Sequence, residues 1–322
     1  MKILFIGDLH LKPSQLTIAV GVLSWIREVI QVYTPDIVVY LGDTFDTHAI
    51  IRSEIQGIFY DHILASVSPL METFHLVGNH DQWKPASSEY HALQTFRHIR
   101  NFRVVSEPEI CMGIGFTPYI SSASIFPKLE TEILVAHQTF LGASYGSFRP
   151  KDGVDCTSLP NQLVISGHVH ERQMFDNVLY PGTPLASSLN DVDQDKGLML
   201  FDSDTFSYTF LDSPFPKYRS IEIREGDSTI LNVNEKDKYI IKLIGSKAFC
   251  ASFISSPDGR SLVGLGAVFR PQYTNSLKVQ RVNIEKRSLK AMVNEYVDKV
   301  MQVEDKDSIL DILEQFYDTQ HG

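Results

Sequence analysis

At 322 residues the chain exceeds what one simple core accommodates, and it predicts roughly two domains plus an appendage. With 43% hydrophobic and 21% charged residues it has the balance of an ordinary soluble globular protein, not of a disordered or fibrous one. Cys111, Cys156 and Cys250 are odd in number and widely spaced, which excludes a disulfide framework or a thiolate metal cage and makes a reducing cytoplasm the expected compartment. The longest apolar runs, Ile3–Ile6 and Ile37–Leu41, are strand-sized and no membrane association is expected. Gly7-Asp8-Leu9-His10 interrupts the apolar opening before a signal-peptide core is complete.

The formal net charge of −10 argues on its face against nucleic acid as a partner. Its distribution argues differently. Residues 1–213 carry 13 basic and 24 acidic side chains, a balance of −11, whereas residues 214–290 carry 14 and 7, a balance of +7. Residues 291–322 carry 2 and 8, a balance of −6. The chain therefore divides into an acidic body, a basic middle segment and an acidic tail.

In chain order, Lys2–Ile6, Asp36–Leu41, Thr73–Val77, Glu132–Val135 and Gln162–Ile165 read as strands. Each is a near-continuous apolar run, the pattern of a strand buried on both faces. Between the first two, Leu16, Ala19, Val20, Leu23, Ile26 and Ile30 recur at helical spacing over Leu16–Val32. Shorter strands follow at Val178–Tyr180, Gly197–Phe201 and Ser207–Leu211, so residues 1–213 predict an α/β domain. Ser213-Pro214-Phe215-Pro216 reads as a linker, because two prolines in four residues continue neither a helix nor a central strand. Beyond it, Ser220–Arg224, Tyr239–Ile244 and Ser276–Ile284 suggest strands of a small α+β domain over 214–287. Residues 288–322 predict a helical tail: Leu289, Met292, Val293, Tyr296, Val297 and Val300 form one stripe, and Ile309, Ile312, Leu313 and Phe316 a second.

The chemistry gathers at the carboxyl ends of the predicted strands. They run into Gly7-Asp8-Leu9-His10, Gly42-Asp43-Thr44-Phe45-Asp46, Gly78-Asn79-His80-Asp81, Ala136-His137-Gln138 and Gly167-His168-Val169-His170. Five times a small residue is followed at once by a metal-capable side chain, and ligands in open α/β sheets collect outside those strand ends. Asp8, His10, Asp43, Asn79, His137, His168 and His170 supply imidazole, carboxylate and one amide, a set suited to Mn²⁺, Fe²⁺ or Zn²⁺, with Mg²⁺ also acceptable. Seven ligands exceed the needs of one catalytic ion; they suit two ions about 3.5–4 Å apart that share a carboxylate and hold an anionic phosphate ester. Singly each motif is an ordinary turn, but all five in order are not.

That order resembles the calcineurin-like metallophosphoesterases. The resemblance implies a four-layer αββα sandwich of two sheets flanked by helices, and it assigns roles. Asp8, His10 and His170 would hold one ion, Asn79, His137 and His168 the other, and Asp43 would bridge. His80 would lie beside the phosphate as a catalytic residue, Asp81 would orient His80, and Asp46 would support the ligands from behind. His48 reads as a solvated loop residue. His62, His75, His91, His98 and His321 read as structural or surface histidines.

Within that family the chain looks like the SbcD-type DNA nucleases, in the compact form that large phages encode. Gly42-Asp43-Thr44-Phe45-Asp46 is close to that group's Gly-Asp-Ile/Leu-Phe-Asp, and Tyr180-Pro181-Gly182-Thr183-Pro184 with Ser187-Ser188-Leu189 resembles its loop after the last histidine motif. Lys12 departs from a glycine common in the group. The resemblance implies a Mn²⁺-dependent double-strand exonuclease and single-strand endonuclease in recombination and repair. It further implies a homodimer, a DNA-facing cap over 214–287, and a tail that docks on an SbcC-like coiled-coil ATPase, in a host cytoplasm if the chain is phage-encoded. Lys217, Arg219, Lys242, Arg270 and Arg281 in the basic segment are the candidate phosphate contacts. Two rival readings stay open: a small-molecule or phosphoprotein phosphoesterase on the same core, and a non-catalytic scaffold. A phosphatase would usually carry Gly-Asp-x-x-Asp-Arg-Gly and Gly-Asn-His-Glu, where this chain has Asp46-Thr47-His48 and His80-Asp81.

Overall fold

A computed structural model describes residues 1–47, 50–84, 87–146, 148–186, 191–227 and 233–274. The chain opens with β1 (Lys2–Ile6), α1 (Leu16–Tyr33), β2 (Ile37–Tyr40), α2 (Ser53–Phe59) and β3 (Glu72–Leu76). A small hairpin of β4 (Gln82–Lys84) and β5 (Ser87–His91) precedes β6 (Phe102–Val105), β7 (Glu109–Cys111) and β8 (Ile114–Thr117). Next come β9 (Ile133–His137), β10 (Leu163–Gly167), β11 (Gln173–Phe175), β12 (Val178–Tyr180), β13 (Gly197–Asp202) and β14 (Ser207–Asp212).

These strands form two six-stranded sheets, ordered β14-β13-β1-β2-β3-β6 and β11-β12-β10-β9-β8-β7. The runs β1-β2-β3-β6 and β8-β9-β10-β12 are parallel, so their carboxyl ends lie along common edges. Alternation along each strand then decides the layers. Ile3, Phe5, Val39, Phe74 and Leu76 face the second sheet and pack on Phe116, Val135, Ile165 and Leu179; Phe74 and Phe116 stack at 4.6 Å. Leu4, Ile6, Val38 and Tyr40 face the other way, onto α1 and α2.

Helix α1 buries Ala19, Val22, Leu23, Ile26, Val29 and Ile30, the stripe its spacing predicts. It stops at Thr34, whose left-handed backbone lets its N–H return to the Ile30 carbonyl at 2.9 Å, and Pro35 follows. Over Pro13–Tyr33 the chain is long and apolar enough to cross a membrane by length and composition alone, but here that stripe faces the sheet. The outer face of the second sheet carries Leu134, Ala136, Val164, Val178 and Tyr180. Its cover is built from irregular chain and 3-10 turns at Ala123–Ile125 and Cys156–Ser158, with Phe126, Phe140 and Val154 inserted, where α-helices were expected. The protein is thus the expected two-sheet sandwich, with α-helices on one outer face among the described residues.

The expected linker is not a free tether: Phe215 packs edge-on against Trp25 of α1 at 5.9 Å. After it, β15 (Tyr218–Arg224), β16 (Lys238–Gly245), α3 (Lys247–Ser255), α4 (Pro257–Gly264) and β17 (Val268–Tyr273) make a three-stranded parallel sheet with two helices on one face. Ser246 and Ser256 cap those helices, accepting from the Phe249 and Gly259 N–H groups at 3.1 and 3.0 Å. Ile223, Tyr239, Ile241, Leu243, Cys250 and Leu262 form its separate core. Ser276–Ile284, Arg281 and the tail over 288–322 lie outside the described residues, as do His48 and Ser187–Leu189.

Candidate dinuclear metal centre

The strand ends deliver their ligands through tight, strained backbone. His10, Asp43 and His168 have φ of 43°, 47° and 78°, in the left-handed region that few residues other than glycine enter. Each such residue costs on the order of 1–3 kcal/mol and persists only where its surroundings hold it, which is why strain of this kind marks functional sites. The first two loops are zipped together: the His10 N–H donates to the Asp43 carbonyl at 2.9 Å and the Leu11 N–H to the Thr44 carbonyl at 3.0 Å. Gly42, at φ 113°, is required by the close approach of His137, because a Cβ there would stand 2.3 Å from its Nδ1. Gly78 is required likewise, since a Cβ would meet Asp43 Oδ1 at 2.1 Å.

All seven expected ligands converge. Asp8, His10 and His170 each bring one ligand atom within 4.8 Å of the others, and so do Asp43, His137 and His168. Asn79 Oδ1 lies 3.0 Å from His137 Nε2. Asp43 reaches both groups, with Oδ2 at 3.8 Å from His10 Nε2 and 3.5 Å from His137 Nε2. His10, Asp43 and His80 make a third triplet within the same limit.

The donor chemistry fits divalent ions. His137 Nδ1 faces the Leu41 carbonyl at 2.7 Å, so that nitrogen must carry a proton and donate. In the neutral ring Nε2 is then a bare lone pair, yet it faces the oxygens of Asn79 and Asp43. Likewise His10 Nε2 and His170 Nε2 stand 3.1 Å apart, at 4.0 and 3.6 Å from the same Asp8 oxygen. At His137 a lone pair facing carboxylate and amide oxygens requires positive charge between them. The same demand moves the titrating groups. Burial opposes ionisation of Asp43, but His137 and His10 outweigh it and hold the carboxyl well below its usual range. Burial opposes charge on His137, but Asp43 and Asp8 outweigh it and raise the ring to about 9. His168, by contrast, is lowered to about 4 by burial and by His137.

Surrounding groups fix this set in place. Both Asp8 oxygens accept from the His168 N–H at 3.1 Å. The His80 N–H donates to Asp43 Oδ1 at 2.8 Å, and His80 Nδ1 donates to the Asp46 carbonyl at 2.9 Å. The His80 ring is exposed, edge-on to His10 at 4.8 Å. The Asp46 carboxylate lies 3.9 Å from His10 Nδ1 and 3.2 Å from the Lys12 ammonium, so the residue departing from the group's glycine is tied to the centre. Asp81 is fully buried and accepts from the Gly78, Thr44 and Phe45 N–H groups at 3.0, 3.4 and 3.4 Å. Burial, then the charge of Asp43, pushes its carboxyl well above the usual range.

Three groups near the centre carried no sequence signal. Tyr119 and Tyr145 place their rings 5.6 and 6.5 Å from His168. Lys196, 1% exposed, donates at 2.8 Å each to the His170 carbonyl, Asp191 and Gln194. Its sequence surroundings, Asp191–Lys196, match no motif.

Among the described residues, two of the candidate phosphate contacts are already paired with carboxylates. Lys217 pairs with Asp195 at 3.6 Å and Arg219 with Asp237 at 3.7 Å. Lys242 and Arg270 are direct cross-strand neighbours on β16 and β17, on the face away from the small core.

Two candidate ligand sets that share one carboxylate, at the strand ends of a two-sheet sandwich, are the arrangement of a metallophosphoesterase. The chain belongs to the calcineurin-like phosphoesterase family, which it matches over residues 1–172. Over 267 residues it is 27% identical to "Putative phosphoesterase 244L" of Invertebrate iridescent virus 6, covering 76% of this chain and 93% of that one. It is 25% identical over 309 residues to the corresponding protein 078R of Invertebrate iridescent virus 3, covering 88% and 87%. It is also 25% identical over 370 residues to the "DNA double-strand break repair protein Mre11" of Nanoarchaeum equitans, covering 98% and 99%.

Proposed function

We propose that the protein is a Mn²⁺-dependent DNA nuclease, exonucleolytic on duplex ends and endonucleolytic on single strands. We assign it the role of nuclease subunit beside a coiled-coil ATPase. The observation that carries the phosphoesterase chemistry is the pair of ligand triplets joined through Asp43, with His80 tethered to the bridge by its own N–H. When bound, two divalent ions neutralise the phosphodiester and acidify water at neutral pH. The chain's residues do the rest. Asp8, His10 and His170 form one cradle, and Asn79, His137 and His168 the other. His80, whose Nδ1 is committed to the Asp46 carbonyl, keeps Nε2 for the proton that the leaving oxygen takes. Asp81 holds the loop that carries Asn79 and His80, through the Gly78 N–H, and so acts on His80 by position.

DNA as the substrate is supported by the full-length likeness to an Mre11 protein, by the balance of +7 over 214–290, and by the paired cations Lys242 and Arg270. Manganese rests on the carboxylate, imidazole and amide set. A second copy is supported by the exposed Ile18, Val20, Val32 and Tyr33 on α1. The ATPase partner rests on the resemblance and on the apolar stripes over 288–322.

The test incubates end-labelled duplex and single-stranded DNA with the protein and Mn²⁺, beside His80→Ala and Asp43→Ala. Wild type should degrade both substrates. His80→Ala should slow cleavage by roughly 10²–10⁴-fold, the scale of general acid catalysis, while still binding Mn²⁺. Hydrolysis of a chromogenic diester without any DNA cleavage would leave the phosphoesterase and remove the nuclease.

A further inference from the structure

The β4–β5 hairpin leaves the centre directly, with Gln82 only two residues beyond His80. It is fastened there at both ends. The Gln82 side-chain amide donates to the Tyr119 carbonyl at 3.0 Å, and the Ala92 N–H donates to the Asp81 carbonyl at 2.8 Å. Its strands carry two large rings in solvent: Trp83 is 46% and Tyr90 54% exposed. The rings meet at 6.2 Å and 78°, and the Lys84 ammonium lies 4.3 Å from the Trp83 ring centroid. Trp83 is four residues from Asn79, so the chain itself keeps it within about 14 Å of a metal ligand. That is about four nucleotides of B-DNA rise.

Two properties separate this pair from ordinary core aromatics. Phe5, Phe45, Phe59, Phe74 and Phe116 are wholly buried, and Trp25 is covered by Phe215, whereas Trp83 and Tyr90 keep about half their surface in water beside the centre. Local charge differs too. Lys84 sits on the ring pair itself, a cation within a domain whose balance is −11. Exposed rings beside a cation are what a flexible, unpaired nucleic-acid strand needs: bases stack on the rings and a phosphate meets the cation. A ring pair that only braced the two strands would need neither the cation nor the exposure.

We propose that this hairpin is a stacking platform for an unpaired nucleobase of the strand being cut. Trp83 and Tyr90 supply the rings. Lys84, on its flexible stem, yields the Trp83 face to the base and remains beside the phosphate. The proposal rests on the nuclease reading above and names the subsite that would hold a frayed end or a single strand.

The experiment titrates fluorescein-labelled oligo-dT, and an abasic oligonucleotide of the same length and charge, into the full chain in EDTA so that nothing is cleaved. Wild type should bind oligo-dT more tightly than the abasic strand, with quenching of Trp83 fluorescence that is absent in Trp83→Phe. Trp83→Leu should weaken oligo-dT binding by roughly five- to 150-fold and leave the abasic strand unaffected, because stacking is lost and the phosphates are not. Trp83→Phe, which keeps a ring and the hairpin, should retain most of the affinity. All three proteins should hydrolyse a small chromogenic diester equally, which separates stacking from damage to the centre. Equal binding of intact and abasic strands by wild type overturns the platform while leaving the nuclease reading intact. An unaltered Trp83→Leu affinity overturns it too. Binding of neither strand overturns the platform, while the nuclease reading stands or falls by the Mn²⁺ cleavage assay.

Discussion

Lys196→Met should weaken the fold and the metal centre together. The ammonium is 1% exposed and its charge is disfavoured by burial, which lowers its pKa, yet it holds three oxygen acceptors at 2.8 Å. Methionine keeps the length of the stem and removes the charge. Removing one partner from a buried ion pair typically costs about 3–5 kcal/mol, because the remaining charge stays in a poor solvent. For a domain of this size each kcal/mol moves the melting temperature by about 2–4 °C, so a fall of roughly 6–20 °C is expected. The His170 carbonyl also loses its shorter donor and keeps only the Thr183 N–H at 3.3 Å. Loss of a group orienting a ligand commonly lowers metal affinity about 10- to 100-fold, and calorimetric titration of the folded variant with Mn²⁺ below its melting point should show that drop. A variant that melts within about 2 °C of wild type and binds Mn²⁺ within about twofold would refute the reasoning.

His75 makes a prediction in pH. Its ring is fully buried between Tyr40 and Phe102, at 4.2 and 3.8 Å, with Nε2 at 3.2 Å from Thr73 Oγ1 and no partner for Nδ1. Burial holds its pKa well below 6.5. Above pH 6.5 neither folded nor unfolded chains protonate it and it contributes no pH dependence. Below that the unfolded chain takes the proton first, so stability falls by about 1.4 kcal/mol per pH unit. Urea unfolding in EDTA at pH 7.5 and 5.0 should therefore show about 2 kcal/mol less acid loss for His75→Leu than for wild type, and parallel losses would sink the assignment. Gly78→Ala should leave the secondary structure and displace the bridging carboxylate, since its Cβ would overlap Asp43 Oδ1 at 2.1 Å. Mn²⁺ affinity should drop by more than about tenfold, and a normal titration would show that the loop can yield.

The parts of the fold legible in the sequence are those buried on both faces. Ile3–Ile6 is a run of apolar residues because both of its faces are covered, and β1 appears where that run lies. Strands at the rims are different. Glu109–Cys111 at the edge of its sheet is part-exposed and three residues long, and Val268–Tyr273 is mostly exposed and contains Pro271, so neither shows an apolar run. The hairpin at 82–91 was invisible for the same reason. The seven ligands converge because each motif follows a strand end, although β9 runs on through His137, so that ligand sits on the strand itself and not in the turn after it. Lys196 was beyond sequence reasoning: nothing in Asp191-Val192-Asp193-Gln194-Asp195-Lys196 distinguishes a solvated charge run from one whose lysine points inward.

That segment also connects the two halves of the molecule. On one side Lys196 donates to the His170 carbonyl. On the other, the Asp193 N–H donates to the Tyr218 carbonyl at 2.9 Å, Asp193 Oδ1 accepts from the Ser220 N–H at 3.1 Å, and Lys217 pairs with Asp195 at 3.6 Å. The small α+β unit is thus hydrogen-bonded to a loop whose lysine supports a metal ligand. The Lys217–Asp195 pair is largely exposed on the aspartate side and worth at most about 1 kcal/mol, so a phosphate approaching Lys217 competes with it on nearly equal terms. The backbone bonds of Asp193 do not depend on that pair. They hold the loop against β15 independently of it, so the support that Lys196 gives His170 does not hang on the Lys217–Asp195 contact.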